Sequence, residues 1–414
     1  MKVLIVTQHY YPETVATSRR PIEVGDDLAA AGHEVTILAG MPNHPSTFMS
    51  GNLELNPPRR ERKSNGVRVI RVPVFSSANR AWMQRTFTYG TFGMMSALRG
   101  LTLPKYDCII GISPLPTVMS AMIVAMKQRT PLIFDLLDIW PEGALIAGGL
   151  KEGKLYDFLQ FLEYETYRRS SFIFAVSKGF EKQLVDNGVD PSKVVFVPNG
   201  VDVDFIHEAE PDMELLREFN LADKFPVVFI GNHGIMQGLD VALDAAKLLL
   251  DRKDIRFVFV GEGVGKPDLV RRVREEGISN CIFIPGQLRN RVPGLLALGK
   301  INLVTLLPTD RFNKWIPSKI YESMASERPI VTNVPGETSD MVREADCGIA
   351  ATPGSAEGLR DGVLRLYNDE SLRRRCGSNG LQWVRANATR EVVRERFLES
   401  MEKAVSRRWH WGIF

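Results

Sequence analysis

The carboxylate of Glu322 is the side chain whose position most suggests a chemical task. It lies in the stretch IPSKIYESMA, one turn after Lys319, in a short predicted helix that Pro317 and Ser318 introduce. Ser318 is expected to cap this helix, and an acid in the opening turns complements the helix dipole by about 0.3–1 kcal/mol. Lys319 and Glu322 could also pair, because residues three apart share a helix face. In a capping box the acid follows three residues after the cap, where Tyr321 stands, so Glu322 is available to a ligand.

A carboxylate such as Glu322 can accept hydrogen bonds from two hydroxyl groups at once, the arrangement that a ribose diol offers. Each charge-assisted bond of this kind contributes about 1.5–3 kcal/mol. Lys319, one turn nearer the positive end of the helix, would then lie close to the phosphates of the same ligand. Together the two side chains predict a nucleotide site.

Asp138 and Glu142, in the stretch LLDIWPE, form a second pair of candidates. They follow a predicted strand at its carboxyl end, where the active-site groups of open parallel sheets collect. The alternative is that either acid caps the helix that follows Pro141. Position is the only local support for a catalytic role, so both interpretations stay open.

Short aliphatic runs separated by helical segments must position these residues. Seven runs, from KVLIV to VVFVPNG, fill the first half of the chain, and five more follow, from PVVFIGN to RPIVTNV. The pattern is typical of buried parallel strands with crossover helices, and each set predicts one doubly wound α/β sheet. The join is expected within residues 198–212. A cleft between the sheets, lined by strand carboxyl ends and helix amino ends, would suit a ligand with phosphates.

Composition narrows the possible classes of protein. A chain of 414 residues is too long for one core, so two or more domains are expected. The 52 basic and 49 acidic residues give a net charge of +3, which argues against nucleic-acid binding. The four cysteines lie far apart without CxxC spacing, so we predict no disulfide framework or zinc site and a reducing cytoplasm. The apolar run at residues 115–126 is too short for a spanning helix.

A series of motifs between residues 10 and 340 resembles family 4 of the glycosyltransferases. The motifs are YYPE, AAAGHEVTIL, DLLDIWPE, VPNGVD, GNHGIMQGLDVALDAA, VGEG and PSKIYESMASERPIV. The resemblance implies the α/β GT-B fold, with two doubly wound Rossmann-like domains facing a cleft. Residues 1–205 would bind the acceptor, residues 206–385 the nucleotide sugar, and residues 386–414 would form a helix and tail packing back on the first domain. DIWPE and the GNHG stretch look like the branch of bacterial O-antigen and capsule fucosaminyl- and related transferases.

The resemblance also implies roles for individual residues. Glu322 would bind the donor ribose, residues 316–319 the diphosphate, and Gly261 with residues 286–288 would lie near the base. A helix starting after Gly231 would present its amino end to the phosphates. The full donor-binding set would be Glu322, Ser318, Pro317, Ile316, Gly231, Asn232, Gln237, Gly261, Gly286, Gln287, Leu288 and Arg289. The catalytic residues would be Asp138, Glu142 and Lys319, and Asp138 would contact the reacting sugar or the acceptor hydroxyl. The residues on the acceptor or phosphate side would include His9, Glu13 and Arg20.

Three departures from the family pattern concern this site. Lys314 stands where many members carry a sugar-contacting Glu. Asn232 and Gln237 replace the Arg and Lys that commonly flank the phosphate loop, and TVATSRR replaces a Gly-Gly pair after the first strand. The cations left to neutralise the phosphates are Lys319 and Arg289 or Arg20.

No metal or other cofactor is expected besides the nucleotide-sugar substrate. Asp202 and Asp204 form a DxD, the pattern by which another transferase class holds a metal. They follow PNG in a predicted turn, however, and two carboxylates alone make a weak site for hydrated Mg²⁺.

Three segments are candidates for membrane contact. PPRRERKSNGVRVIR carries six cations and one anion, and is either a solvated loop or a patch that attracts anionic lipid by about 1 kcal/mol per charge. Apolar residues also recur at near-helical spacing between residues 82 and 103, and this stripe predicts core packing in preference to insertion into a membrane surface. Its members are Met83, Phe87, Met94, Leu98 and Leu101. The terminal RRWHWGIF fits interfacial contact or a loosely docked tail.

The interpretation that unites these features is a retaining glycosyltransferase of surface polysaccharide biosynthesis, making O-antigen, capsule or lipopolysaccharide. It would move a sugar, with an N-acetylated amino sugar as one option, from a UDP-linked donor to a lipid-linked saccharide. We expect a monomer or homodimer in the cytoplasm, peripheral on the inner face of the cytoplasmic membrane. A UDP-sugar 2-epimerase of the same architecture and a non-catalytic scaffold of a polysaccharide assembly complex stay open as alternatives.

Overall fold

Two compact units make up the chain, each built on a sheet of parallel strands. The computed structural model describes residues 1–13, 16–42, 57–75, 82–146, 148–207 and 209–406. The first unit consists of residues 1–197 with the residues from 394 onward, and the second of residues 198–393.

The first unit contains an eight-stranded sheet in the order β3-β4-β2-β1-β5-β6-β7-β8. All neighbouring strands are parallel except β3 and β4. Every residue of β1 after the first is buried, as expected of a strand inside a parallel sheet. The strands are β1 (Lys2–Thr7), β2 (Glu34–Gly40), β3 (Arg60–Arg62), β4 (Arg68–Val72), β5 (Cys108–Ile112), β6 (Leu132–Leu136), β7 (Phe172–Ala175) and β8 (Val194–Phe196).

In the described part of the chain, helices follow strands β1, β4, β5, β6 and β7. They are α1 (Ala16–Ala30), α2 (Trp82–Gly100), α3 (Leu115–Gln128), α4 (Glu142–Ile146), α5 (Lys154–Arg169) and α6 (Lys178–Asp186). Helices α2 and α3 pack closely, because a Cβ atom on Gly100 would lie only 2.4 Å from Val124. The hydroxyls of Ser96 and Ser120 also hydrogen-bond at 2.9 Å between the two helices.

The second unit contains a six-stranded parallel sheet in the order β11-β10-β9-β12-β13-β14. Its strands are β9 (Phe225–Ile230), β10 (Ile255–Val260), β11 (Cys281–Ile284), β12 (Ile301–Val304), β13 (Ile330–Thr332) and β14 (Gly348–Ala350). Its helices are α7 (Val203–Ile206), α8 (Met213–Glu218), α9 (Leu239–Lys247), α10 (Lys266–Glu275), α11 (Val292–Leu298), α12 (Lys319–Ala325), α13 (Glu337–Glu344), α14 (Ala356–Asn368) and α15 (Glu370–Asn387). The predicted class of two doubly wound α/β sheets is confirmed.

The strand order reverses next to the first strand of each sheet. Strand β1 lies between β2 and β5, and strand β9 lies between β10 and β12. Crossover connections leave in opposite directions at such a point, so the loops at the carboxyl ends of the adjacent strands leave room for a ligand.

The last helix, α16 (Arg390–Ser406), begins in the second unit and has its remaining residues, from 394 onward, in the first. The ring of its Phe397 contacts that of Phe174 in β7, with centroids 4.6 Å apart. In the second unit, the Val201 amide donates to the Ala388 carbonyl at 3.0 Å. This pairing holds residues 201 and 388 together in the second unit. The units therefore divide between residues 197 and 198 and between residues 393 and 394, whereas the resemblance suggested divisions after residues 205 and 385.

Strands β3 and β14 were not among the predicted runs. Strand β3 lies in the basic stretch interpreted as a solvated loop or a lipid-binding patch, where it pairs antiparallel with β4 at the edge of the sheet. Strand β3 reads RER and strand β14 reads GIA, so neither contains the run of large aliphatic residues that predicted the other strands.

Helix α1 is joined to β6 by a buried ion pair. Arg20 donates from Nε to Asp135 Oδ2 at 2.9 Å and from Nη2 to Oδ1 at 3.2 Å. The two side chains are 6% and 0% exposed. Arg20 was a candidate for the acceptor or phosphate side; the ion pair with Asp135 gives it a structural role, and contact with phosphate stays a prediction.

We predict that Arg20→Ala lowers the free energy of unfolding by about 3–5 kcal/mol, because it leaves the Asp135 charge buried without its cation. Urea denaturation followed by circular dichroism measures the loss. Arg19→Ala is the matched control, since its partner Glu23 is half-buried on the same helix and the loss there should stay below about 1 kcal/mol. Equal losses in the two variants would contradict the structural role of Arg20.

Candidate functional site

Two loops at the carboxyl ends of β9 and β10 approach each other closely in the second unit. Gly231 follows β9 with φ 150°, and Gly261 follows β10 with φ 145°. A Cβ atom on Gly261 would lie 1.9 Å from the carbonyl oxygen of Gly231, so a side chain cannot be accommodated. The His233 amide also donates to the Glu262 carbonyl at 2.9 Å. Of the two glycines predicted for donor binding, Gly261 is therefore needed for the loops to meet, and Gly231 has a backbone φ that favours glycine.

The helix expected after Gly231 is α9, and a short turn of different geometry precedes it; its role toward the phosphates stays a prediction. Residues 235–237 form a single 3₁₀ turn, and α9 begins only at Leu239. Gly238 separates the two with a left-handed φ of 59°, in a position where a Cβ atom would lie 2.8 Å from the Leu306 carbonyl. Close packing against this neighbouring loop interrupts the helical path.

The ammonium group of Lys319, the first residue of α12, lies against the loop after β9. It donates to Gln237 Oε1 at 2.5 Å and lies 3.9 Å from the centroid of the Phe229 ring. A Cβ atom on Gly231 would lie 3.0 Å from the same nitrogen. Burial lowers the pKa of Lys319 to about 7, and Glu322 opposes this shift. Lys319 can therefore titrate near neutral pH, and a bound anion would favour its charged form.

Glu322, one turn along α12, pairs with Arg289. Arg289 Nη1 donates to Glu322 Oε1 at 2.7 Å, and the guanidinium carbon lies 4.9 Å from the centroid of the Phe205 ring. The Glu322 side chain is 18% exposed. Lys319 contacts Gln237 while Glu322 contacts Arg289, so the two charges on α12 are not simply partners of each other.

Ser318 does not cap α12 with its side chain, so that expectation was wrong. Its backbone already has helical angles, φ −56° and ψ −27°. A capping side chain needs the extended backbone found at Ser177, which has φ −143° and ψ 153° and accepts from the Phe180 amide. Ser318 is exposed, after half-buried Pro317 and buried Ile316.

The 286–288 turn lies beside the loop that follows β10. The Gly286 amide donates to Glu262 Oε1 at 3.3 Å. Lys266 ties the same carboxylate to the Gly261 carbonyl, donating to each at 2.8 Å. The predicted donor-binding residues of this unit thus lie on loops that contact one another, with Leu288 half exposed and Asn232 exposed. Gln287 accepts from Arg291 at 3.1 Å.

Asp138 and Glu142 lie in the first unit, after the carboxyl end of β6. Glu142 is the first residue of α4 and is buried. Asp138 packs beside this helix, since a Cβ atom on Gly143 would lie 3.0 Å from Asp138 Oδ1. Burial, with a further contribution from Glu142, raises the pKa of Asp138 to about 7. A carboxyl group with this pKa can exchange a proton with a hydroxyl group near neutral pH.

The loop after β1, in the same sheet, holds a second titratable pair. His9 Nδ1 lies 2.7 Å from Glu13 Oε2, and the Glu13 side chain is only 2% exposed. The Thr7 hydroxyl donates to the His9 carbonyl at 3.1 Å. A buried acid therefore orients the imidazole at the carboxyl edge of the sheet. His9 and Glu13 stay candidates for the acceptor side.

Asp202, from the DxD sequence, has a local structural role. Its side chain accepts from the Phe205 amide at 3.0 Å and caps α7. In the described part of the chain, no group of three or more His, Cys, Asp or Glu side chains is arranged to hold a metal ion.

Sequence reasoning missed His233, the most enclosed ionisable residue near Lys319. Its ring lies among Phe229, Phe259 and Phe283, with centroids 5.9, 6.5 and 6.0 Å away. Burial, followed by Lys266, lowers its pKa to about 4, so it is neutral at physiological pH. Its position between glycines in GNHG was the available signal.

Three members of the apolar stripe lie exposed on α2, so the favoured interpretation of core packing was wrong for them. Phe87, Met94 and Leu98 are 63%, 58% and 56% exposed. The side chain of Met83 and the terminal RRWHWGIF lie outside the described residues. None of the described helices has the length and hydropathy needed to span a membrane.

Family models match both halves of the chain. A model described as Glycosyl transferase 4-like domain matches residues 18–200, and one described as Glycosyl transferases group 1 matches residues 213–383. The chain is 28% identical over 375 residues to WcaI of Escherichia coli K12, named as a colanic acid biosynthesis glycosyl transferase, with 88% of this chain and 91% of WcaI covered. It is 27% identical over 168 residues to an α-D-kanosaminyltransferase of Streptomyces kanamyceticus, covering 40% and 42%.

Solved structures share the fold over almost the whole chain. Sucrose-phosphate synthase from Thermosynechococcus elongatus superposes with a TM-score of 0.75 at 15% identity, covering 97% of this chain and 98% of that one. HepE of Anabaena, in complex with UDP and glucose, superposes with a TM-score of 0.72 at 17% identity, covering 97% and 100%. With both family models matched in order and the two-sheet fold shared throughout, this chain belongs to the family 4-like glycosyltransferases of the GT-B fold.

Proposed function

We propose that this protein transfers a sugar from a UDP-linked donor to a lipid-linked saccharide during assembly of a surface polysaccharide, with retention of configuration. Two hydrogen bonds in the second unit carry the proposal. Lys319 donates to Gln237 in the loop after β9, and Arg289 donates to Glu322. The name of the relative WcaI supports polysaccharide biosynthesis, and that of the kanosaminyltransferase makes an amino sugar a reasonable donor group.

The donor is assigned to the second unit by charge and hydrogen-bonding capacity. The Glu322 carboxylate can accept from both hydroxyls of a ribose, and Lys319 offers the positive charge that a diphosphate needs. The presence of UDP in the structure of the relative HepE supports a uridine nucleotide. Because these side chains supply both functions, we propose that no metal ion takes part.

The chemical step breaks the bond between the anomeric carbon and the diphosphate and forms a bond from that carbon to the acceptor oxygen, while the proton of the acceptor hydroxyl passes to the departing diphosphate. Negative charge develops on the departing phosphate, where protonated Lys319 stabilises it electrostatically. In this proposal the acceptor hydroxyl, or the reacting sugar, is contacted by Asp138, with Glu142 beside it. His9 and Glu13 are assigned to the acceptor.

We predict that Glu322→Ala weakens UDP binding at least about tenfold, which corresponds to about 1.4 kcal/mol, because the ribose loses its charged acceptor. Calorimetric titrations of UDP, GDP and ADP into the wild-type and variant proteins measure this effect. Glu344→Ala, an exposed acid on α13 of the same unit, is the control and should bind as the wild type does.

The same titrations separate the alternative functions. Binding of none of the three nucleotides by the wild-type protein would contradict the transferase proposal and favour a scaffold. Conversion of a UDP-sugar to its 2-epimer without any acceptor would favour the epimerase.

We predict that UDP affinity falls as the pH rises above 7. Lys319 has a pKa lowered to about 7, and only its protonated form neutralises the diphosphate. With that pKa the dissociation constant should rise about fivefold from pH 7 to pH 8. Lys319→Arg, which stays charged, should remove most of this dependence, and an equally steep dependence in that variant would assign the titration to another group.

We also propose that the exposed face of α2 binds the membrane surface that carries the lipid-linked acceptor. Phe87, Met94 and Leu98 lie on one side of the helix. Phe75, itself 48% exposed, extends the patch, with its ring 6.2 Å from that of Phe87. A contiguous apolar patch of this kind is typical of an interaction site.

We predict that Phe87→Ser combined with Leu98→Ser weakens binding to vesicles of anionic phospholipid at least about tenfold, because each large apolar side chain gains about 1.5–3 kcal/mol when it leaves water. Co-sedimentation with the vesicles measures the change. Met213→Ser in the second unit is the control, since Met213 is 53% exposed and lies on α8. Unchanged sedimentation of the double variant would rule out this face.

A further inference from the structure

Glu163 on α5 is a buried acid that the proposed reaction does not use. It is 3% exposed, and its Oε1 accepts a hydrogen bond from the Trp140 backbone amide at 2.8 Å. Trp140 lies in DIWPE, between Asp138 and Glu142. A side chain 23 residues away in the sequence thus holds the middle of the segment that carries both candidate acids.

The contact lies in a buried layer of side chains behind this segment. Tyr167, one turn along α5 from Glu163, stacks on Phe134 of β6 with ring centroids 5.4 Å apart. Strand β6 is the strand that leads into Asp138. Glu142, Glu163 and Tyr167 also line one pocket with polar side chains of α6 and the residue after it, Gln183 and Asn187. Helix α5 therefore packs on strand β6 through Tyr167. The Glu163 carboxyl group of the same helix holds the loop that follows this strand.

Backbone hydrogen bonding explains why the segment needs an outside acceptor. The Gly143 amide donates to the Ile139 carbonyl at 2.9 Å, and the Leu145 amide donates to the Pro141 carbonyl at 3.1 Å. The Trp140 amide is instead satisfied by a side chain, and a buried amide without an acceptor is strongly unfavourable. Burial raises the pKa of Glu163 well above its usual value, with smaller contributions from Asp138 and Glu142, while the hydrogen bond from the Trp140 amide opposes this rise. A neutral carboxyl group still offers a carbonyl oxygen to the amide.

We propose that Glu163 is a positioning residue for DIWPE: its carboxyl oxygen holds the Trp140 amide and thereby sets the orientation of Asp138 and Glu142 for sugar transfer. The proposal rests on the proposed function for the role of Asp138. It requires a hydrogen-bond acceptor at position 163 and not a negative charge.

The test compares Glu163→Gln, which keeps an acceptor oxygen, with Glu163→Leu, which removes it. Hydrogen exchange of the Trp140 amide is followed by NMR in full-length protein labelled with [¹⁵N]tryptophan, with the signal assigned from Trp140→Phe among the six tryptophans. Transfer rate and UDP affinity are measured on the same samples. In Glu163→Leu we expect the amide to exchange at least about tenfold faster and kcat to fall about tenfold, with UDP affinity unchanged. Glu163→Gln should retain slow exchange and most of kcat.

Each result decides a separate part of the proposal. An unprotected Trp140 amide in the wild-type protein would overturn the contact without any variant, which covers the case in which Glu163→Leu does not fold. Unchanged kcat in a Glu163→Leu protein whose Trp140 amide has become unprotected would overturn the positioning role. A Glu163→Gln variant as slow as Glu163→Leu would show that charge is required, which also overturns it. If the wild-type protein transfers no sugar, the proposed function fails, whereas the amide exchange still tests the contact.

Discussion

Close backbone contact between the loops after β9 and β10 is the constraint on which the second unit depends. The 1.9 Å that would separate a Gly261 Cβ atom from the Gly231 carbonyl leaves no alternative to glycine. A Cβ atom on Gly263 would likewise lie 2.4 Å from the His233 carbonyl carbon. These contacts hold His233 inside the aromatic cluster and leave the Lys319 ammonium group beside the loop at Gly231. A shift of the loop after β9 would therefore disturb the contact of Lys319 with Gln237.

Gln237 stands where the resemblance to family 4 implies a cation, and its amide group has an electrostatic consequence for Lys319. A second cation at that position would repel the Lys319 ammonium group, whose pKa burial already lowers to about 7. The amide oxygen of Gln237 instead accepts a hydrogen bond from it at 2.5 Å. The site thus keeps one titratable cation at this loop, and Arg289 supplies another charge beside Glu322. The predicted departures from the family pattern change how charge is distributed and leave the fold intact.

In the first unit, two aspartates three residues apart lie in opposite electrostatic environments. Asp135 is fully buried, and its charge is matched by Arg20. Asp138 has a buried Oδ1 without a hydrogen-bond partner in the described structure, and Glu142 lies close to it. Its pKa consequently rises to about 7. One acid therefore anchors α1 to the sheet, while the pKa of the other is raised to near neutral pH, although the two lie in the same short stretch of sequence.

The sequence by itself determined the two parallel sheets, because runs of buried aliphatic residues follow from local hydrophobicity, and it located Glu322, Lys319 and the glycine loops through their motifs. It missed β3 and β14, and it misjudged Ser318 and the α2 stripe, since capping geometry and exposure depend on neighbours distant in the chain. It also held no sign of Glu163, whose partner Trp140 becomes adjacent only when α5 packs on β6. Tertiary structure decided which charges are matched and which are not, because burial and pairing depend on residues that only folding brings together.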